Sequence, residues 1–218
     1  MSVTRPVILT FAGHYLPGYK AGGPIRSLVN MVDQLGDAFD FHIVAADRDL
    51  GDATPFEGVV IDAWNTVGDA RVFYRSPGAA GWRALLKSLD ETSFDLIYLN
   101  SFFSPSAALR PLAYRRTGRL TRKPVLLAPR GEFSAGALAL KPLKKRLFIA
   151  LSKGIGLHRG VMFQASSEHE AADIRRGFGD VSIHVASNLP GRSGSGVANV
   201  SALVASDRPL RAVFLSRI

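Results

Sequence analysis

Val7-Ile-Leu-Thr-Phe11 leads into the loop Ala12-Gly-His-Tyr-Leu-Pro-Gly-Tyr-Lys-Ala-Gly-Gly23, and Pro24-Ile-Arg-Ser-Leu-Val-Asn-Met-Val32 follows. The first five residues read as a short buried strand. Pro24 suits a first helical position, and Ile25, Leu28, Val29 and Val32 recur at helical spacing up to Gly36. A strand, a glycine-rich loop and a helix in that order are how an α/β unit of a mostly parallel sheet opens.

The alternation continues along the chain. Strands are expected at Phe39–Ala46, Gly58–Trp64, Arg71–Tyr74, Asp95–Leu99, Pro124–Ala128, Val161–Ala165 and Ser182–Val185, with a turn at Gly68-Asp69. Helices are expected at Trp82–Leu89, Pro105–Arg116, Leu143–Ile155 and Ser167–Arg176. The expected fold class is α/β, a doubly wound, mostly parallel Rossmann-like sheet over residues 1–190. Gly191-Arg-Ser-Gly-Ser-Gly196 opens a linker-like segment running to 209. Residues 210–218 then read as the first strand of a further domain that lies outside this chain.

In this architecture ligands sit at the carboxyl ends of the strands. The loops concerned are Ala12–Gly23, Asn100–Ser104, Pro129–Ala139 and Ser166–Glu168. In the first, Gly22 and Gly23 let backbone approach a ligand closely, and the helix beyond offers free N–H groups and a partial positive charge. Lys20 and Arg26 flank it. The spacing is neither G-x-G-x-x-G nor a P-loop, and a plain turn is the other reading. In Ala128-Pro-Arg-Gly-Glu-Phe-Ser-Ala-Gly136, Arg130 either holds an anionic or hydroxyl-rich ligand or pairs with Glu132 to close the loop. Glu168 and Glu170 stand at a helix start, where capping and the helix dipole explain carboxylates without catalysis.

The 218 residues carry 27 Lys+Arg against 18 Asp+Glu, a net charge of +9. Thirteen of the cations and one acid, Glu132, fall between Arg110 and Arg159, a local balance of +12 against −3 for the rest. Such a stretch is either a solvated basic face or a surface for anions such as acidic lipids. Within it, Leu143, Leu147, Ala150, Leu151 and Ile155 share one side of a helix at about 100° per residue. Lys141, Lys145, Arg146 and Lys153 share the other, with Ile149 among them. The expectation is that the leucine side packs on the core. Lys141, Lys144, Lys145, Arg146 and Lys153 then present Ile149 to an anionic membrane surface.

Cysteine is absent, which excludes disulfides, thiolate metal sites and thiol nucleophiles. His14, His42, His158, His169 and His184 show no metal spacing, and no G-x-S-x-G elbow is present. No apolar run reaches the roughly 18 residues of a membrane span. Met1–Pro6 carry no signal-peptide pattern. The expected location is cytoplasmic, either free or peripheral on the inner face of the membrane. Without RNP, KH or helix-turn-helix patterns, and without aromatics interleaved among the cations, nucleic acid is not an expected partner.

Six segments in order resemble the amino-terminal half of a glycosyltransferase family 4 enzyme of GT-B fold. They are Pro17–Ser27, Ile43–Asp49, Leu127–Leu138, Ala165–Glu168, Asn188–Pro190 and Phe214–Ile218. The resemblance implies transfer of a sugar with retention from a nucleotide-sugar co-substrate to a glycan or lipid-linked acceptor, in envelope or exopolysaccharide assembly. It implies no cofactor and no obligatory metal. Gly22 and Gly23 match the family's glycine pair near donor phosphates and acceptor, and Arg217 matches a strand-end Arg that contacts the diphosphate. Arg217's lysine partner and the E-x7-E motif are not in this sequence, so the 218 residues alone are expected to be inactive. Many members carry a His after the strand equivalent to Leu96–Leu99, where this sequence has Asn100 and Ser101. A non-catalytic nucleotide- or anion-binding domain is the alternative.

Overall fold

The computed structural model describes residues 4–192. One eight-stranded sheet runs through them in the order β3-β4-β2-β1-β5-β6-β7-β8. The strands are β1 (Val7–Phe11), β2 (Asp40–Ala46), β3 (Trp64–Val67), β4 (Ala70–Arg75), β5 (Leu96–Leu99), β6 (Val125–Leu127), β7 (Val161–Ala165) and β8 (Ile183–Val185). All neighbours are parallel except β3, which pairs antiparallel with β4 through the turn at Gly68-Asp69. The helices are α1 (Gly23–Leu35), α2 (Gly78–Asp90), α3 (Arg110–Arg116), α4 (Ala135–Ala139), α5 (Pro142–Gly154) and α6 (Glu168–Phe178). The expected doubly wound α/β fold is therefore present. The chain builds outward from β1 toward β2 and β4, then returns to add β5 on the other side. That reversal puts a crevice between the carboxyl ends of β1 and β5.

Alternating strand residues feed two cores. Leu9, Phe11, Val44, Phe73 and Leu99 meet Trp82 and Leu85 of α2, Leu112 of α3, Ile149 of α5 and Ile174 of α6. Ile43, Ala45, Val72, Tyr74 and Tyr98 meet Leu28 and Val32 of α1 on the opposite face. Both faces are covered, which is why these strands read as continuous apolar runs.

Three local expectations are corrected. The strand expected at Gly58–Trp64 begins only at Trp64. Residues 58–63 are folded back instead, with Asn65 accepting from Val60 N at 2.9 Å and donating to Val60 O at 2.8 Å. A polar side chain there supplies the partners a strand would have supplied. The helix expected from Pro105 starts as a π-turn over Pro105–Leu109. Pro111 lacks the N–H that a regular α-turn needs from it, and the register slips upstream. The short helix α4 had no periodic signal, being mostly alanine and glycine.

The third correction is the orientation of α5, which is opposite to the expectation. Ile149 is 8% exposed and belongs to the core, whereas Leu143 is 81% and Leu147 61% exposed. Phe148 packs on Phe102 and Phe103 at 5.7 Å. Lys145 turns inward, its Nζ 5.0 Å from the Phe103 ring centroid and donating to Ala137 O, and Lys153 lies 5.1 Å from the Phe178 ring centroid. These two stems snorkel over aromatic faces, which frees the inner side of the helix for Ile149. Lys141, Lys144 and Arg146 remain exposed.

Candidate functional site

The loop after β1 is held in place before any ligand arrives. The Asp49 carboxylate accepts from Tyr19 N at 2.8 Å, Lys20 N at 3.1 Å and Leu50 N at 2.8 Å. Burial pushes the pKa of this group up, but the three backbone donors outweigh it and hold Asp49 below the ordinary carboxylate range. Gly18 lies against it: a Cβ there would meet Tyr15 O at 2.9 Å and Asp49 Oδ1 at 3.0 Å. Tyr74 donates to Leu16 O at 2.6 Å. The loop ends at Gly22, the cap of α1, with φ 68° and ψ −122°. That conformation is open essentially to glycine alone.

Arg130 sits at the carboxyl end of β6 with φ 55°. Its Nε donates to Asn100 Oδ1 at 2.7 Å, one terminal nitrogen to Tyr98 OH at 2.9 Å and the other to Asn188 Oδ1. Tyr98 in turn donates to Gln164 at 2.7 Å. Burial raises the Tyr98 hydroxyl above its usual range despite the neighbouring guanidinium, so it stays protonated and acts as donor to Gln164. All three acceptors are neutral. Among the described residues the Arg130 cation has no carboxylate partner.

Glu132 does a different job. It accepts from Ser101 Oγ at 2.8 Å, from Phe103 N at 3.2 Å and from Phe102 N, closing the loop after β5. The Arg130–Glu132 pair, one of the two sequence readings, is therefore replaced by two separate sets of bonds. Beneath both loops lies an aromatic cluster. Phe102 stacks on His158 at 4.6 Å and meets Phe133 at 4.7 Å and Phe178 at 5.3 Å. Since Phe102 follows Ser101 and Phe133 follows Glu132, packing of the rings fixes the polar residues above them.

Two adjoining cavities open along this edge, and Arg130 and Pro24 line both. One, of about 400 Å³, is also lined by Gly23, Ser27, Ser134 and Glu170. The other, of about 220 Å³, is lined by His14, Asn100, Ser101 and Glu132. Gly23 and Arg130 thus share one concave surface. Gly22 and Arg26 line a neighbouring cavity of about 370 Å³ that also includes Gly23.

Other expected residues fall elsewhere. Lys20 bonds to Asp52 and lines none of these cavities. Glu168 is exposed at the first position of α6, outside the cavities, and it is Glu170 that reaches the cleft. Glu170 accepts from Gly131 N at 2.6 Å, Ser166 N at 2.7 Å and Ser166 Oγ at 2.6 Å, tying the loops after β6 and β7 together. Arg217 lies outside the described residues, as do most of the linker and the expected strand at 210–218. His14, Tyr98, Glu170 and Asn188 were not singled out as ligand residues. Asn188 carries a sequence signal in its Asn-Leu-Pro segment and Glu170 as a helix-start carboxylate beside Glu168, whereas His14 and Tyr98 carry none.

Electrostatically the cleft places the Arg130 guanidinium beside the N-terminus of a 13-residue helix that has no acid in its first turn. The same lining carries the Glu132 and Glu170 carboxylates, which keep their negative charge while neutral N–H and O–H donors hold them, and Asp173, which pairs with Arg176 at 2.6 Å. Among the described residues no group of three or more His, Asp or Glu converges as a metal ion requires, and no helix is long and apolar enough to cross a membrane. In comparisons with known proteins, no family model and no curated protein matches the chain.

Proposed function

We propose that this chain is the acceptor-side half of a retaining, nucleotide-sugar-dependent glycosyltransferase. It would act on a glycan or lipid-linked acceptor in envelope or exopolysaccharide assembly, on the cytoplasmic side. The observation that carries the reading is Arg130, a cation without a carboxylate partner among the described residues, placed with Gly23, Asn100 and Ser101 along the crevice edge. The ordered resemblance of six segments to family 4 enzymes supplies the reaction class.

In a retaining sugar transfer the anomeric centre develops positive charge while a diphosphate leaves. Fixed cations and helix N-termini oriented in advance lower that barrier, because they need no reorganisation when the charge develops. Arg130 is positioned by three neutral acceptors, so its charge stays available to a diphosphate or to acceptor hydroxyls. Asn100 and Ser101 are buried at the crevice wall and add hydrogen-bonding groups that orient an acceptor. The nucleotide would be held by a further domain, and the 218 residues alone are expected to give no turnover.

Calorimetric titration of the chain with nucleotide sugars, nucleoside diphosphates, inorganic phosphate and acceptor saccharides tests this. The expected result is binding of an acceptor saccharide that Arg130→Ala weakens about tenfold, the loss of one charge-assisted contact. Binding of phosphates with no preference for an attached sugar would replace the proposal with a non-catalytic anion-binding domain. Robust turnover by the chain alone would overturn the half-site division.

A further inference from the structure

The outer face of α5 is built the wrong way round for a helix bathed in water. Leu140 is 70% exposed, Leu143 81%, Leu147 61%, Leu151 58% and Ile155 56%. From 143 onward, spacings of four residues set these side chains in one stripe along the helix, directly opposite the buried Ile149. Leu140 extends the stripe past the N-cap. A soluble domain scatters exposed leucines singly, and a contiguous row of them marks a contact surface.

The surroundings say what kind of contact. Residues 133–167 contain no acid at all. Exposed Lys141, Lys144 and Arg146 lie within the same two turns as Leu143 and Leu147. Arg116 donates to Gly156 O at 3.0 Å, beside the end of the stripe, and Arg159 is exposed three residues further on. On the inner flank of α5, Arg146, Lys153 and Arg176 border a cleft of about 610 Å³ whose other walls include Phe133, Leu138 and Ile149. Apolar side chains in a row with cations on the same level match the depth profile of an anionic bilayer, acyl chains below and phosphates above.

We infer that α5 is a bilayer-docking element that lays its leucine stripe into the surface of an anionic membrane while Lys144, Arg146 and their neighbours contact headgroup phosphates. This reverses the sequence-based expectation, in which Ile149 and the cationic side faced the lipid. It also does not depend on the sugar-transfer reading. The chemistry asks for both parts: leucines alone would favour any apolar partner, and cations alone any anion. A shallow insertion leaves the core untouched, because Ile149, Phe148 and Ser152 hold the other side of the helix.

The test is co-sedimentation of the 218-residue chain with phosphatidylcholine vesicles and with vesicles containing about one third phosphatidylglycerol. The parent is expected to bind the anionic vesicles and to release as salt rises. The triple variant Leu143→Ser, Leu147→Ser, Leu151→Ser should bind about tenfold more weakly or worse, and Lys144→Ser with Arg146→Ser should weaken binding and flatten its salt dependence. The substituted positions are exposed, so melting curves should stay close to the parent's. In case the triple variant does not fold, Leu147→Trp gives a second reading, since its fluorescence should shift to the blue with anionic vesicles. Undiminished binding by the leucine variant, no binding by the parent, or an unshifted emission from the Leu147→Trp variant overturns the inference. So does a dimer in the ultracentrifuge that the leucine variant dissociates, without any vesicle binding, which would assign the stripe to a second copy of the chain.

Discussion

Arg130 Nε donates to Asn100 Oδ1 at 2.7 Å, while Glu132, two residues further on, accepts from Ser101 Oγ at 2.8 Å. Two charged neighbours in sequence thus serve separate ends: one leaves its charge to the cleft, the other directs it at backbone and hydroxyl donors.

The two substitutions should separate cleanly. Glu132→Ala strips Phe102 N, Phe103 N and Ser101 Oγ of their acceptor. Buried donors left without partners cost about 1–3 kcal/mol. Arg130→Ala removes bonds to neutral groups at the rim of a cavity that water can enter, and should cost no more than about 1 kcal/mol. Urea denaturation of both variants checks the order. A larger loss for Arg130→Ala than for Glu132→Ala would mean that Arg130 is the structural member of the two.

His158 gives the protein an acid-sensitive point. Its two ring nitrogens have no partners among the described residues, its ring stacks on Phe102, and burial pushes its pKa down to about 4 from 6.5. Above pH 6.5 both folded and unfolded chains carry it neutral and it contributes no pH dependence. As pH falls from 6.5 to 4 the unfolded chain takes up a proton that the folded one refuses, so stability drops by on the order of 3 kcal/mol across that window. His158→Phe should remove this part of the slope and be at least as stable at pH 7, since a phenyl ring has nothing to desolvate. Equal slopes for parent and variant would show that the folded state protonates His158 freely.

Asp49→Ala should loosen the loop that carries Gly22. Tyr19 N and Lys20 N lose their acceptor, and the effect is twofold, a loss of about 1–3 kcal/mol in stability and a loss of order in the loop. Amide exchange should quicken at Tyr19 and Lys20 while β1 itself stays protected. Unchanged exchange at these amides would mean that the bonds within the loop suffice.

Much of the architecture was legible before the structure because central parallel strands covered on both faces must be largely apolar, as Leu96–Leu99 and Val125–Leu127 are. The direction of α5 was not. Periodicity assigns Leu143, Leu147 and Leu151 to one side but carries no sign, and the deciding contacts of Ile149 and Phe148 with distant aromatics leave no local trace. The cleft was half legible. Loops at strand ends named Gly23, Asn100 and Arg130, whereas Tyr98 looked like one more core residue of β5 and Asn188 lies 58 positions from the arginine it holds. His14 sits in an irregular loop, where no spacing rule applies.

The paired glycines before α1 should respond differently, which tests whether the chain needs their backbone or their lack of a side chain. Gly22 has φ 68°, a conformation an alanine adopts only under strain. Gly22→Ala should therefore cost about 1–3 kcal/mol, or shift the start of α1. Gly23 has an ordinary backbone, and a Cβ built there meets nothing within 4 Å. Gly23→Ala should fold with a change within about 0.5 kcal/mol. Gly23 lines the cavity shared with Arg130 and the one shared with Gly22 and Arg26, however, so a larger side chain there narrows the crevice edge at which a ligand would sit. Gly23→Val should keep most of the parent's melting temperature and still abolish whatever binding the parent shows in titration. If Gly23→Val bound as tightly as the parent, the ligand would have to lie on the His14 and Asn100 side of Arg130, away from the helix start. If Gly22→Ala were as stable as the parent, the turn would not depend on glycine, and only the open space at Gly23 would remain as a reason for the pair.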